Sequence, residues 1–328
     1  MGDIGQAYFR SELETRRQRL EAAASSYGRM GEVERLIREV DAALARMDNG
    51  TYGLCEECHE PVEMNRLLAD PLVCMCLDHL NPEERRTLER DLELAVRVQS
   101  SLLPTCNVNT HGWETCYHYE AAGPVGGDYC DIVRTGNGDG GLFFLVGDVS
   151  GKGVAASLLM SHLHAIFRTL LAAPLAVEEL MDRANRVFAQ STMSSSYATL
   201  ACGRGLGSGD LEIANAGHAP PILIRNGEIW TIKPTGLPLG LFGHGHYAAE
   251  RYRLNPGDSL LLFTDGFTEA RNTAGEEYGL EGLMEAARRN ARLRVEAMAK
   301  ACLDDFNAFL NGAPRHDDLT LLVVRRAA

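Results

Sequence analysis

Apolar residues recur at helical spacing through residues 30–47, where Val33, Leu36, Ile37, Val40, Leu44 and Met47 share one face, and Asp48-Asn49-Gly50 supplies a stop. The spacing predicts an amphipathic helix. A more polar stretch, Gln6 to Ala24, is rich in helix formers and is separated from it by Ser25-Ser26-Tyr27-Gly28, so a helical hairpin is expected. Asn81-Pro82-Glu83-Glu84 then opens another helix, with a capping side chain, proline in the first turn and acids facing the positive helix end. It should run to about Leu103, before Pro104. Leu88, Leu92, Ala95, Gln99 and Leu102 form a nearly apolar seam spaced like a short coiled coil, which either packs on its own domain or pairs two chains.

From Pro104 onward the pattern changes to short β-type runs punctuated by glycine: Leu142 to Val146, Tyr197 to Cys202, Leu211 to Ala214, Ile222 to Ile224, Ser259 to Phe263 and Leu319 to Val324. Asn226-Gly227 marks a hairpin turn. The helical segments are few, chiefly Val154 to Leu171, Ala176 to Gln190 and Leu280 to Leu310, so strict βαβ alternation fails and an α+β layered fold is expected. No internal repeat is visible.

Composition narrows the function classes. At 328 residues and 45% hydrophobic, the chain is long enough for two or three domains with a sizeable core. A formal net charge of -13 argues against nucleic acid or anionic membrane as a partner, since phosphate would repel most of the surface. No stretch approaches the roughly 20 apolar residues of a membrane span, and Met1 to Arg10 lacks the pattern of a signal peptide. A cytoplasmic location is expected. The cysteines number nine, with Cys55, Cys58, Cys74 and Cys76 crowded together, a pattern of metal binding and not of a disulfide framework.

Four aspartates stand at strand ends or in glycine-rich turns: Gly126-Gly127-Asp128, Gly147-Asp148-Val149-Ser150-Gly151, Thr264-Asp265-Gly266 and His316-Asp317-Asp318. Asp148 and Asp265 each follow a buried apolar run, and Asp317 precedes one. Any single Asp-Gly pair is ordinarily a turn cap. Four carboxylates converging without equal numbers of Lys or Arg repel one another, and hard divalent cations relieve that repulsion, so Mg2+ or Mn2+ is the expected metal.

The chain from about Asp91 to Arg326 resembles the SpoIIE-like branch of the PPM metal-dependent protein phosphatases. The resemblance rests on Glu93-Leu94-Ala95 through Gln99-Ser100-Ser101-Leu102-Leu103-Pro104, Val125-Gly126-Gly127-Asp128-Tyr129, Gly147-Asp148-Val149-Ser150-Gly151-Lys152-Gly153, Asn215-Ala216-Gly217-His218, Phe263-Thr264-Asp265-Gly266 and Asp317-Asp318-Leu319-Thr320. It implies two packed antiparallel sheets flanked by helices, with the site at one edge of the sandwich. It also implies serine/threonine phosphatase activity with Asp148 bridging two metals, the carbonyl of Val149 beside it, and Asp128, Asp265 and Asp317 completing the shells. Asp131 and Asp318 are weaker candidates. A bridging hydroxide would attack phosphorus directly, without a covalent phosphoenzyme. In many eukaryotic relatives a His follows the bridging Asp by two residues as proposed general acid. Ser150 stands there in this chain, so the acid is unassigned.

Other motifs carry less. Lys152, on a loop leading into a helix, reads as a solvated side chain before it reads as a phosphate ligand. The run Gly147 to Gly153 lacks the glycine spacing and the hydroxyl of a P-loop. His218 reads as a turn-stabilising imidazole. No cysteine has the neighbouring His expected of a nucleophile in a phosphate-cradling loop.

Cys55-Glu56-Glu57-Cys58 and Cys76-Leu77-Asp78-His79 are ligand pairs with two-residue spacers, the arrangement of a tetrahedral Zn2+ site. With Asp41-Ala42-Ala43-Leu44, Gly50 to Leu54, Arg66-Leu67 and Pro71, residues 30–80 resemble the DksA/TraR-type zinc finger. In that family the last ligand is usually Cys, and here His79 takes its place, with Cys74 as a possible substitute. Members of that family reach into RNA polymerase through an acidic coiled-coil tip, but the corresponding Ala24 to Met30 carries no acid.

These readings divide the chain into a regulatory hairpin and finger (1–80), a linker helix able to dimerise (81–103) and a phosphatase domain (104–328). The expected substrate is a phosphoprotein, by family analogy an anti-sigma-factor antagonist, and a homodimer is expected. The competing reading is a transcription-associated regulator that binds polymerase, with the phosphatase fold as scaffold.

Overall fold

The computed structural model describes residues 9–18, 20–21, 31–79, 82–104, 107–135, 140–193 and 196–327, the side chains of 31–33, 65, 68, 69 and 82 excepted. It divides into two compact units, 1–91 and 92–328. The expected helical tip, the Ser25 to Gly28 break and the Asn81 cap lie outside the described residues.

In the first unit α1 (residues 9–18 and 20–21) and α2 (Gly31–Asp48) run antiparallel, because Arg10 pairs with Asp48 while Arg17, further along, pairs with the earlier Asp41. The apolar face anticipated for α2 is the buried one. Val40, Ala43 and Met47 pack with Phe9 and Leu13 of α1 and with Tyr52, Cys55, Val62, Leu67 and Cys76 of the segment that follows. That segment holds a short α3 (Met64–Ala69) and a 3-10 turn (Leu77–His79). Burial of each large side chain contributes about 1.5–3 kcal/mol, which over so few residues leaves a small core. The helix α4 (Pro82–Leu102) runs through the division between the units.

The second unit is an α/β/β/α sandwich. One sheet has the order β1 (Asn109–Thr110), β2 (Trp113–Glu120), β11 (Leu319–Arg326), β10 (Ser259–Phe263), β7 (Ile222–Arg225) and β8 (Glu228–Thr231). The other runs β3 (Tyr129–Thr135), β4 (Gly141–Val149), β5 (Ala198–Leu206), β6 (Asp210–Ala216) and β9 (Glu250–Arg253), and every pairing in both is antiparallel. Between the sheets lie Leu142, Phe144 and Val146 of β4 with Leu260, Leu262, Leu322 and Val324. The alternate residues Phe143 and Leu145 pack instead with α5 (Gly153–Leu170) and α6 (Val177–Ser191), and Leu261, Phe263, Leu321 and Val323 with α8 (Gly279–Arg289) and α9 (Val295–Leu310). Strands buried on both faces read as continuous apolar runs, which is why these were the visible ones.

Two features differ from the sequence expectation, and one choice it left open is decided. The strands β1, β2, β3 and β9 were not anticipated. β9 is Glu-Arg-Tyr-Arg, and this polar edge strand is held to β6 by cross-strand pairs Arg253–Asp210 and Arg251–Glu212. The segment Leu280 to Leu310 is two helices, not one: the Arg325 guanidinium, from β11, donates to the carbonyls of Ala291 and Leu293 where the chain breaks. The seam on α4 packs at its C-terminal end onto its own domain, where Gln99 is buried and Leu102 joins the sandwich core, while Leu88 is half exposed. The Asn226-Gly227 hairpin is present, with both residues at positive φ (51° and 83°) as a two-residue type I′ turn requires.

Candidate active site and metal centres

Register brings the four aspartates to one end of the sandwich. Tyr129 pairs with Gly147, so Asp128 and Asp148 sit at the same end of one sheet. Phe263 pairs with Leu321, so Asp265, the first residue of the single turn α7 (Asp265–Thr268), and Asp317, just ahead of β11, lie at one end of the other. The sheets are joined there through Asp128, whose Oδ2 accepts from Thr264 Oγ1 (2.8 Å) and Thr320 Oγ1 (2.5 Å).

The electrostatics are those of uncompensated negative charge. Burial, then the charges of Asp265, Asp317 and Asp318, push Asp148 up to about 7, with Lys152 opposing. Burial and the charge of Asp148 push Asp128 well above the usual carboxylate range, and burial with Glu269 and Asp317 raises Asp265. Such a donor set fits hard divalent cations. No three of these aspartates bring ligand atoms within 4.8 Å of one another, a spacing reached among the described residues only by the Cys/His group. This is compatible with Mg2+, which keeps several waters and is held through one or two carboxylates. Val149 closes β4, and its carbonyl oxygen would lie 3.2 Å from a Cβ placed on Gly127.

The remaining motif residues have assigned contacts. Lys152, expected to be merely solvated, donates to Asp317 Oδ2 (2.8 Å) and to the carbonyl of His316 (3.0 Å), although its side chain stays exposed. Asp131 is fully buried and both its oxygens accept from Arg168 at 2.7 Å, which ties β3 to α5 and commits the carboxylate elsewhere. Asp318 accepts from backbone N–H groups of Ala122 (2.8 Å) and Gly127 (2.6 Å). Ser150 Oγ accepts from the N–H of Tyr197, so this side chain serves a backbone tie. His218 was expected to stabilise the turn through its imidazole, but the turn is held by its backbone N–H donating to Asn215 Oδ1 (2.7 Å), while the imidazole Nδ1 lies 2.8 Å from Thr199 Oγ1 across the strands and burial draws the ring down to about 4. Thr264, Thr320 and Gln99 were quoted in the sequence motifs without a role, because spacing does not tell which side chain a hydroxyl or amide reaches.

Two hollows adjoin the aspartates. One of about 520 Å³ opens beside Asp265 and Asp317 between Glu269, Arg271 and Asn272 on one side and Pro314 and Arg315 on the other. The other, about 290 Å³, touches Asp148, Asp265, Thr199 and His218.

In the first unit Cys55, Cys58, Cys76 and His79 bring their ligand atoms within 4.8 Å of one another. Cys58 Sγ lies 3.8 Å from Cys76 Sγ, and Cys76 Sγ 3.2 Å from His79 Nδ1. Cys74 is outside this group. Burial raises the Cys55 thiol, but backbone groups of Cys58, Cys76 and Glu57 more than offset it and draw it down to about 6, prepared as a thiolate. Three sulfurs and one imidazole in this arrangement are a donor set suited to Zn2+.

Comparison with known proteins follows these two regions. The family model for Stage II sporulation protein E (SpoIIE) matches residues 138–327, and that of the prokaryotic dksA/traR C4-type zinc finger matches residues 50–78. Protein IcfG of Synechocystis sp. (strain ATCC 27184 / PCC 6803 / Kazusa) is 24% identical over 72% of this chain and 41% of its own length. Phosphoserine phosphatase RsbU of Bacillus subtilis (strain 168) is 26% identical over 74% of this chain and 72% of its own. The crystal structure of the RsbU and RsbW domains of Rv1364c from Mycobacterium tuberculosis superposes with a TM-score of 0.57 at 31% identity, over 66% of this chain and 60% of that one. The chain thus spans about two-fifths of IcfG and three-fifths of the Rv1364c chain.

Proposed function

The chain belongs to the SpoIIE family of PPM-type phosphatases, and we propose that it is a metal-dependent phosphatase that hydrolyses phosphoserine or phosphothreonine on a partner protein. The observation that carries this reading is the gathering of Asp128, Asp148, Asp265 and Asp317 at one sandwich edge, with Asp148 raised to about 7 against the opposing charge of Lys152. Asp148, with Asp128, Asp265, Asp317 and the Val149 carbonyl, would hold two Mn2+ or Mg2+ ions, with Asp148 expected to serve both. When bound, such a metal pair supplies a hydroxide at neutral pH and neutralises phosphoryl charge. The protein's own part is orientation. Thr264 and Thr320 occupy one oxygen of Asp128 and leave the other for a ligand bond, and Lys152 holds Asp317 at the rim. The hollow beside Asp265 and Asp317 receives the phosphorylated segment of the partner.

The similarity to RsbU and to the RsbU–RsbW protein supports a substrate of the anti-sigma-factor-antagonist type. Family membership supports an enzyme over a polymerase-binding scaffold. In the first unit, Cys55, Cys58, Cys76 and His79 hold one structural Zn2+, and residues 1–80 act as a regulatory module joined by the 81–103 helix to a phosphatase domain at 104–328. The protein works in the cytoplasm as a homodimer paired through the exposed side of α4, where Leu94 and Val98 are half exposed; no described helix is long and apolar enough to cross a membrane.

The test is Mn2+-dependent hydrolysis of p-nitrophenyl phosphate and then of a phosphoprotein, with light scattering for the chain mass. Absence of metal-dependent turnover on both substrates rejects the enzymatic reading.

A further inference from the structure

The segment 121–128 that delivers Asp128 has no strand partner, and its backbone is held by side chains from two directions. From one side, the Asp318 carboxylate accepts from the N–H groups of Ala122 (2.8 Å), Gly127 (2.6 Å) and Asp128 (3.4 Å). It lies so close that a Cβ on Gly126 would stand 2.2 Å from Asp318 Oδ2. From the other side comes Gln99 of α4. Its Nε2 donates to the carbonyl of Gly126 (2.7 Å) and its Oε1 accepts from the Gly126 N–H (3.1 Å), so one amide engages both polar groups of a single residue.

Gln99 is only 5% exposed. It stands in the α4 seam between Ala95 and Leu102, where an apolar side chain would pack without the cost of desolvating an amide. Both hydrogen-bonding groups of that amide end on a glycine two residues ahead of Asp128.

We propose that Gln99 is a positioning residue for the divalent-cation site at Asp128: its two bonds to Gly126 fix the loop that aims this carboxylate, and so set the affinity for the cation. The inference rests on the phosphatase reading for the role of Asp128, but its readout does not. Mn2+ binding to the full, zinc-loaded chain is followed by the paramagnetic resonance of the free ion, independently of turnover.

Gln99→Met keeps the length of the side chain and removes both bonds. It is expected to weaken Mn2+ binding about tenfold, the effect of two neutral hydrogen bonds, while kcat at saturating Mn2+ stays within about twofold. Leu102→Ala loosens the same helix against the sandwich core without touching the clamp. It should lower the melting temperature and leave the Mn2+ dissociation constant unchanged. A wild-type dissociation constant in Gln99→Met overturns the proposal, as does an equal weakening in Leu102→Ala at equal loss of stability, or a wild-type chain that binds no Mn2+ beyond its zinc site. A chain that shows the expected binding pattern yet hydrolyses no phosphoester rejects the phosphatase reading and leaves the clamp standing.

Discussion

The two regions proposed to hold metal are built on opposite plans. The Cys/His group comes from two short segments, 55–58 and 76–79, and its ligand atoms converge within 4.8 Å. The aspartate group comes from four segments between residues 128 and 317, brought together by the registers of two sheets, and its members stay further apart. In the first, a bound metal would replace the large core that so few residues cannot form. In the second, the core is complete without the metal, and what remains unbalanced is charge. The contrast predicts that removing a ligand costs structure in one region and chemistry in the other.

The largest effect is expected at the aspartates. Asp148→Asn and Asp265→Asn should each lower Mn2+-dependent turnover by at least about a hundredfold, with far-UV circular dichroism unchanged. Wild-type turnover in either purified variant would break the two-metal assignment.

In the finger the order of consequences reverses. Cys55→Ser or Cys58→Ser should release one zinc per chain and unfold the module, because zinc binding and folding are the same free energy there. Elemental analysis and hydrogen exchange over residues 31–79 would report it. Turnover by the sandwich should persist. Full protection of 31–79 in a zinc-free variant would erase the contrast.

A smaller effect separates scaffold from ligand within the sandwich. Thr320→Val removes one of the two hydroxyls on Asp128 Oδ2 and leaves a buried carboxylate short of a donor. A loss of about 1–3 kcal/mol in the metal-free protein is expected from denaturant titration. Unchanged stability would mean that Asp128 is protonated or re-paired there.

The smallest effect is in pH dependence. Asp148 ordinarily titrates at 3.8 and is raised to about 7 in the fold, with Asp128 and Asp265 shifted the same way. The folded state therefore holds protons that the unfolded chain has lost. This contribution is fully present below about pH 4 and disappears as pH rises through 7. Metal-free protein should melt lower at pH 8 than at pH 5. Asp148→Asn should raise the pH 8 value by about 3 °C, a figure discounted because the group is partly exposed. A pH-independent difference between variant and wild type would show that the repulsion is already relieved.

How legible each part was follows from range. The Cys/His group was visible because its spacers are two residues long and local, though Cys74 and His79 competed for the fourth place until the fold placed His79 beside Cys76. The aspartates were visible as strand-end residues, and the strands carrying Asp148 and Asp265 were visible because burial on both faces makes them uniformly apolar. β9 was not, since an edge strand of Glu-Arg-Tyr-Arg draws its pairing from cross-strand charge. Asp131 shared its motif context with Asp128, and only the fold shows it bound to Arg168.

By itself, then, the order of apolar and polar residues determined the main helical segments and the uniformly apolar strands, that Cys55, Cys58 and Cys76 stand at ligand spacing, and that four acids stand at strand ends, because propensity, periodicity and short spacers act within a few residues. The tertiary structure alone decided which strands are neighbours, that Arg325 ends a helix some thirty residues away, and that Gln99, Asp318, Thr264 and Thr320 converge on Asp128 and its loop. Those contacts join residues distant in sequence, and register and packing, which set them, exist only once the chain has closed on itself.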